Sequence, residues 1–97
     1  MPAATRLGDN TAGHGWSPTP SIKGSPDVFV NSLASIRIGD DYAVHSMPYP
    51  PVAPHKLNSA QGSTTVYANG LAMTRVGDVL SCTDTVAFGS SNVFIGG

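Results

Sequence analysis

The chain has little of several things that mark common protein classes. Its 97 residues include a single cysteine, Cys82, so no disulfide can form within the chain. Only 11% of the residues are charged and the net charge is −1, which leaves no basic patch for nucleic acid. No apolar run approaches the roughly 18 residues of a membrane span. The first nine residues lack the apolar stretch of a secretory signal, so we expect synthesis in the cytoplasm, where Cys82 stays reduced.

The size and composition favour one small all-β domain over residues 1–97. Gly and Pro are frequent, and no segment keeps a helical periodicity without interruption by Gly, Pro or β-branched residues. A core of this size is marginal alone, so a further staple is expected, and it cannot be a disulfide. The proline-rich segment 47–54 is expected to be an extended loop.

A four-residue pattern, Arg-aliphatic-Gly-Asp, occurs three times. The copies are Arg6-Leu7-Gly8-Asp9, Arg37-Ile38-Gly39-Asp40 and Arg75-Val76-Gly77-Asp78. Each is followed by a residue that can bind a metal: His14, His45 and Cys82 lie five, five and four residues beyond the aspartate. A unit that delivers one ligand per copy predicts a metal on a pseudo-threefold axis.

The repeat extends upstream of the motif. Residues 24–37 align with residues 62–75 without a gap, and each copy predicts two short strands joined by a tight Asn-Ser or Asn-Gly turn. The remaining copy is split between residues 89–97 and residues 2–6. We therefore expect three β-hairpin repeats that close a ring, with the two chain termini side by side.

The candidate metal ligands are His14, His45, His55 and Cys82. Three imidazoles and a thiolate suit tetrahedral Zn²⁺, and with four protein ligands the site would be structural. Such a site would tie all three repeats together and supply the staple. If His55 does not bind, a three-ligand zinc with water would resemble a hydrolytic centre. Asp41 and Asp84 would then be the candidate bases, although polar loop residues are the simpler interpretation.

Other repeated residues have structural interpretations. The three Arg and three Asp of the motifs predict a bracing network in which Asp also caps the following turn. The aromatic residues Phe29, Tyr67 and Phe94 occupy matching places in the repeats. Together with Trp16 they are predicted to lie in the core.

The opening Pro2-Ala3-Ala4-Thr5-Arg6, the three repeats and the His/His/His/Cys set together resemble the PAAR-repeat proteins. The resemblance covers essentially the whole chain, although in the repeat alignment Pro2 stands one position before the four motif residues, of which only the Arg and a small residue are kept. It implies a small cone of β-hairpins with a structural zinc near its apex and a base that caps a homotrimeric β-helical spike. Such spikes belong to type VI secretion systems and contractile phage tails.

The predicted function is therefore that of a structural spike tip and not of an enzyme. The chain is expected to be a monomer on its own, to bind one copy per spike trimer, and to meet the target cell envelope transiently without binding nucleic acid. It would be assembled into a virion tail tip or a secretion apparatus. The alternatives from other classes are a small zinc-dependent hydrolase and an effector adaptor module.

Overall fold

The computed structural model describes residues 1–13, 18–47, 52–81 and 84–96. Within these ranges the fold is all-β, and no helix is present that could cross a membrane. The chain is elongated, with principal extents of 39 × 23 × 22 Å. Its strands are β1 (Phe29–Val30), β2 (Leu33–Ala34), β3 (Asp41–Met47), β4 (Val52–Asn58), β5 (Tyr67–Ala68) and β6 (Leu71–Ala72). They pair as three antiparallel hairpins, β1–β2, β3–β4 and β5–β6.

Two of these hairpins, β1–β2 and β5–β6, are the predicted repeat units. Their registers match: Phe29 pairs with Ala34, and Tyr67 pairs with Ala72. Each turn has two residues with positive φ, which is the geometry that follows the twist of the flanking strands. Asn69 and Gly70 adopt φ of 53° and 75°, and the corresponding Asn-Ser turn of β1–β2 does the same.

The split copy forms the same pairing from the two ends of the chain. Ala3 forms an antiparallel bridge with Phe94, at the place of the Phe29–Ala34 and Tyr67–Ala72 pairs. Ala4 N–H donates to the Val93 carbonyl at 2.9 Å. The prediction that the termini lie side by side is therefore confirmed.

The three units are joined into a ring by one bridge between each neighbouring pair. The bridges link Arg6 with Ser35, Arg37 with Met73, and Arg75 with Ala4. Each bridge joins the strand before one motif to the strand before the next. The ring that the split repeat predicted is therefore present, and it leaves the three hairpin units in equivalent places.

The buried apolar residues form two clusters. The hairpin layer consists of three hairpin units, which are β1–β2, β5–β6 and the split copy formed by the two chain ends. It buries Ala4, Val30, Ala68, Met73 and Ile95. The loop layer consists of the segments that follow the motifs, and it buries Ile36, Tyr42, Leu57, Leu80 and Val86. The chain passes from the hairpin layer to the loop layer through each Arg-aliphatic-Gly-Asp motif and then returns.

Two predictions about this fold are wrong. Residues 52–54 do not form a loop, because they begin strand β4, which pairs with β3 from Met47↔Val52 to Asp41↔Asn58. A hairpin edge tolerates Pro54, since an edge position needs no N–H donor there. Residues 48–51 and Trp16 lie outside the described residues.

The second correction concerns the repeated aromatic residues, which do not lie in the core. Phe29, Tyr67 and Phe94 are 57%, 56% and 51% exposed. The strand alternation explains this, because Val30, Ala68 and Ile95 at the next positions point inward and are buried. The repeat equivalence was correct, but the side of the strand was assigned wrongly.

Candidate functional site

Three excursions of the chain leave the ring after the three motifs, and they carry the predicted metal ligands. The first is closed by the Asn10↔Pro20 bridge, the second is the β3–β4 hairpin, and the third is closed by the Val79↔Thr85 bridge. Their bases are joined to one another through the bridges Thr11↔Val86, Ser21↔Tyr42 and Ser59↔Leu80. All three ligand-bearing segments therefore start from one layer of the molecule.

Two of the four predicted ligands are paired by the β3–β4 register. His45 and His55 are Cα partners, with a register irregularity on each side of the pair. The sequence had placed His55 in a loop and supported it only by reach, whereas the hairpin sets its backbone opposite His45.

The other two predicted ligands, His14 and Cys82, lie outside the described residues. Among the described residues, no group of three or more His, Cys, Asp or Glu side chains is gathered as a metal would require. The donor chemistry of the four residues fits Zn²⁺, because imidazole and thiolate are the ligands of structural zinc sites. The four-ligand site therefore remains a prediction.

The three motifs form one hydrogen-bonding unit repeated around the ring. In the second copy, Asp40 Oδ2 accepts from Arg37 N and Nε at 2.8 and 2.9 Å, and Asp40 Oδ1 accepts from Arg37 Nη2 at 2.9 Å. Arg6 with Asp9 and Arg75 with Asp78 repeat this pattern. Hydrogen bonding to Asp raises the pKa of each guanidinium above its ordinary value. The predicted bracing role is confirmed.

The same arginines also connect neighbouring repeats through the hairpin turns. Arg37 Nη1 donates to Asn69 Oδ1 at 3.0 Å, and Arg6 Nη1 donates to Asn31 Oδ1 at 3.3 Å. The third arginine, Arg75, donates instead to the backbone carbonyl of Gly96 at 3.3 Å. The sequence shows that these arginine and asparagine side chains are present, but the closure of the ring decides which of them form hydrogen bonds with each other.

The hairpin layer presents apolar side chains to solvent in equivalent positions. Phe29, Tyr67 and Phe94 are half exposed, and Leu33 and Leu71 are each 41% exposed. Nothing in the fold of the described residues covers them. These residues are a candidate contact surface, because exposed apolar residues that together form one patch mark interaction sites. Strand alternation is the sequence signal that could have identified these exposed residues. The residue after each aromatic residue is also apolar, and only one of two consecutive strand residues can face the core.

The two candidate bases of the hydrolase alternative are placed differently. Asp41 is exposed and pairs in register with Asn58 at the start of the β3–β4 hairpin. Asp84 is buried, and its Oδ1 accepts from the backbone N–H of Thr85 at 2.8 Å. Asp84 therefore caps its own turn, in keeping with the structural interpretation.

Tyr42 is a buried polar residue that the sequence analysis did not single out. Its hydroxyl lies in the loop layer and has no hydrogen-bond partner of ordinary geometry among the described residues. The Thr5 hydroxyl lies close enough to Tyr42 to lower its pKa and so to offset part of the effect of burial. Thr5 Oγ1 nevertheless donates its own hydrogen bond to the Phe88 carbonyl at 2.8 Å. Burial raises the pKa of Tyr42 well above its ordinary value.

Comparison with known families gives one finding. The PAAR motif family matches residues 57–97, a range that contains β5, β6, the third Arg-aliphatic-Gly-Asp motif and the C-terminal half of the split hairpin. No curated protein matches the chain. The family is structural and not enzymatic, and its motif indicates a spike-tip-related role in secretion or phage systems. The match confirms, for residues 57–97, the resemblance found in the repeats.

Proposed function

We propose that this chain is the tip of a spike. It caps a homotrimeric β-helical spike protein, with one copy per trimer, and sharpens it for piercing a target cell envelope. The observation that carries this proposal is the ring of three equivalent bridges, which gives a single polypeptide three near-equal sides. A threefold partner presents three identical edges, and one asymmetric monomer without internal repeats could not meet them all.

The hairpin layer is the surface that meets the spike. It carries the threefold row of exposed apolar residues, Phe29, Tyr67 and Phe94, with Leu33 and Leu71 beside them. The chain offers few charges, so the contact is apolar and backbone-mediated. Salt screens mainly exposed charge pairs, and it should therefore weaken this contact little.

One structural zinc completes the tip. The residues that would hold it are His14, His45, His55 and Cys82, of which His45 and His55 are Cα partners in the β3–β4 register. Bound zinc would fix the loop layer by joining its three excursions. With four protein ligands, no position would remain for a catalytic water. The chain would thus be a structural component and not a hydrolase.

The setting that follows is a contractile phage tail or a type VI secretion apparatus. The chain would be made in the cytoplasm, remain monomeric until it meets the spike, and touch the target cell envelope only transiently. Its net charge of −1 and low charge content support the absence of a nucleic-acid partner. These properties match those of a small part that is added to the end of a larger assembly.

The test is to mix the purified chain with the trimeric spike protein encoded in the same genome. Light scattering should give one copy per trimer, with little change in affinity between low and high salt. A double variant, Phe29→Ser with Tyr67→Ser, should bind at least tenfold more weakly while keeping its melting temperature. Ile22→Ser is the matched control, because Ile22 is equally exposed but lies outside the three hairpin units. A three-to-three complex, or no binding to the trimer, would contradict the proposal.

A further inference from the structure

One hairpin unit of the ring differs from the other two in its covalent structure. The β1–β2 and β5–β6 hairpins are continuous chain, whereas the third unit pairs residues 2–6 with residues 89–96 across the whole length of the sequence. Non-covalent contacts alone hold the C-terminal segment in this unit. The backbone bonds are Ala4 N–H to Val93 O at 2.9 Å, Ile95 N–H to Pro2 O at 2.9 Å and Ser90 N–H to Ala4 O at 2.8 Å.

The C-terminal segment, residues 89–96, lies in a slot beside residues 2–6, and this slot accepts only particular side chains. A Cβ added at Gly89 would lie 2.6 Å from the Ala4 carbonyl oxygen, so only glycine fits there. Ser90 Oγ donates to Asn31 Oδ1 at 2.5 Å and accepts from the N–H of Val93 at 2.9 Å. Ile95 is buried in the hairpin layer, and Val93 packs against that cluster. The slot therefore recognises an extended strand with the pattern Gly-Ser-x-x-aliphatic-x-aliphatic.

The same sequence pattern occurs at the equivalent positions of the other two repeats. Gly24-Ser25 and Gly62-Ser63 lie where Gly89-Ser90 lies, and a Cβ at Gly24 or Gly62 would meet a backbone carbonyl at 2.7 or 2.8 Å. There, however, the strand and its partner are joined by a two-residue turn. The tight turn keeps those strands paired within one chain.

The C-terminal segment makes side-chain contacts at two of the three seams of the ring. At the seam with β1–β2, Asn31 accepts from Ser90 Oγ through its Oδ1 and donates to Asn92 Oδ1 at 2.9 Å. At the seam with β5–β6, Arg75 and Ser63 donate to the backbone carbonyl of Gly96, whereas Asn69 provides a side-chain acceptor at the equivalent position of the third seam. Release of the segment therefore breaks a defined set of contacts that the slot of a second copy could restore.

We propose that the slot beside residues 2–6 is an exchangeable strand-binding site. Its ligand is an extended peptide of this Gly-Ser pattern, and its partner is residues 89–96 of a second copy of this chain. In the monomer the segment fills its own slot; when it leaves, as it does near the unfolding midpoint, the slot of another copy accepts it, and two copies exchange strands. Exchange of an identical element needs no new kind of contact, because each slot receives the same residues that it held before. This inference rests on the ring and is independent of spike capping.

The first experiment uses the intact, unmodified protein and a fluorescent synthetic peptide of residues 86–97. The tethered segment has an effective concentration of the order of millimolar, so the peptide is supplied at about 1–5 mM. The mixture is held a few degrees below the unfolding midpoint, cooled, and separated by gel filtration. We expect label to elute with the protein. A peptide with Gly89→Val should incorporate at least tenfold less, and equal incorporation of the two peptides, or none, would overturn the proposal.

The second experiment traps exchange between copies. The variant Ala3→Cys with Phe94→Cys places a cysteine pair across the split unit, and Phe29→Cys with Ala34→Cys places the equivalent pair across the continuous β1–β2 hairpin. Isotopically heavy and light forms are mixed, held below the midpoint, and then oxidised. Mass spectrometry should find mixed heavy–light disulfides in the first variant and none in the second. Only intrachain disulfides in both variants would refute strand exchange.

Discussion

The two layers of this small ring are built in contrasting ways. In the hairpin layer the three units share register and the burial of alternate residues, and the two continuous units also share a two-residue turn. In the loop layer the three excursions differ, and the second is a hairpin of two seven-residue strands. Local turn chemistry and repeated hydrogen bonds hold the hairpin layer, whereas for the loop layer we propose that a bound metal supplies the missing stability. The predictions below test that contrast, beginning with the largest effect.

The largest effect should come from the predicted ligands of the loop layer. Structural zinc contributes on the order of 10 kcal/mol in small peptides, which is comparable to the stability of a whole domain. We expect Cys82→Ser and His45→Ala to be unfolded or insoluble, and the parent protein to contain about one zinc per chain by elemental analysis. Asp41→Asn is the control, because this exposed carboxylate is not a predicted ligand. If Cys82→Ser melts within a few degrees of the parent, the loop layer does not need the metal.

The next effect concerns the repeated Arg–Asp units, whose burial differs between copies. The Asp40 side chain is 3% exposed and the Asp9 side chain is 13% exposed. Removing one partner of a buried ion pair costs about 3–5 kcal/mol, because the other charge is left without compensation. We expect Asp40→Ala to lower the free energy of unfolding by about that amount, and Asp9→Ala by less. Urea denaturation measures the loss of unfolding free energy in both variants. Equal losses would show that burial of the Asp side chain does not set the size of the effect.

A smaller effect should come from Tyr42 in the loop layer. A buried hydroxyl without a partner costs about 1–3 kcal/mol, so Tyr42→Phe should raise the free energy of unfolding by about 1 kcal/mol. Burial raises the pKa of Tyr42 in the folded state, so folding favours the protonated hydroxyl. The stability linked to this protonation is fully present below the unfolded pKa of about 10 and is lost at higher pH. The parent should therefore lose stability above about pH 10 more steeply than Tyr42→Phe. Identical pH profiles would show that folding does not raise the pKa of Tyr42.

The smallest effect tests the turns of the hairpin layer by exchanging residues between repeats. Ser32 and Gly70 occupy the same turn position, with φ of 68° and 75°, and a side chain is unfavourable in that region. We expect Ser32→Gly to stabilise the protein by a few tenths of a kcal/mol to about 1 kcal/mol, and Gly70→Ser to destabilise it by a similar amount. Thermal melts of both variants measure this. Changes of the same sign would show that the two turns are not equivalent.

Local repetition made most of the hairpin layer predictable. The Asn-Gly turn needs positive φ at both central residues, and Asn69 and Gly70 supply it without help from distant contacts. The Arg–Asp pairs lie three residues apart, so their bonds also form within one short segment. Alignment of the split repeat was enough to predict that the two ends of the chain lie side by side, and the Ala3–Phe94 bridge confirms it.

The loop layer was harder to predict, since its pairing depends on contacts that the local sequence does not announce. Prolines around β4 favoured a loop, yet the strand forms because β3 provides a partner along its length. The side of the hairpin on which Phe29, Tyr67 and Phe94 lie was also assigned wrongly. Equivalence between repeats shows that three residues share a place, but not whether that place faces the core or the solvent.

The sequence by itself determined the number of repeats, their turns and the Arg–Asp units, because each of these follows from residue types at short, repeated spacings. Repeated spacing also predicts His14, His45 and Cys82 as zinc ligands, whereas His55 was predicted only from its reach and the ligand count. Only the tertiary structure decided three further features: the pairing of His45 with His55, the burial of Tyr42, and the exposed row of Phe29, Tyr67 and Phe94. These depend on which surfaces the closed ring covers. Closure joins residues from opposite ends of the chain, and burial is a property of that assembled ring and not of any one segment.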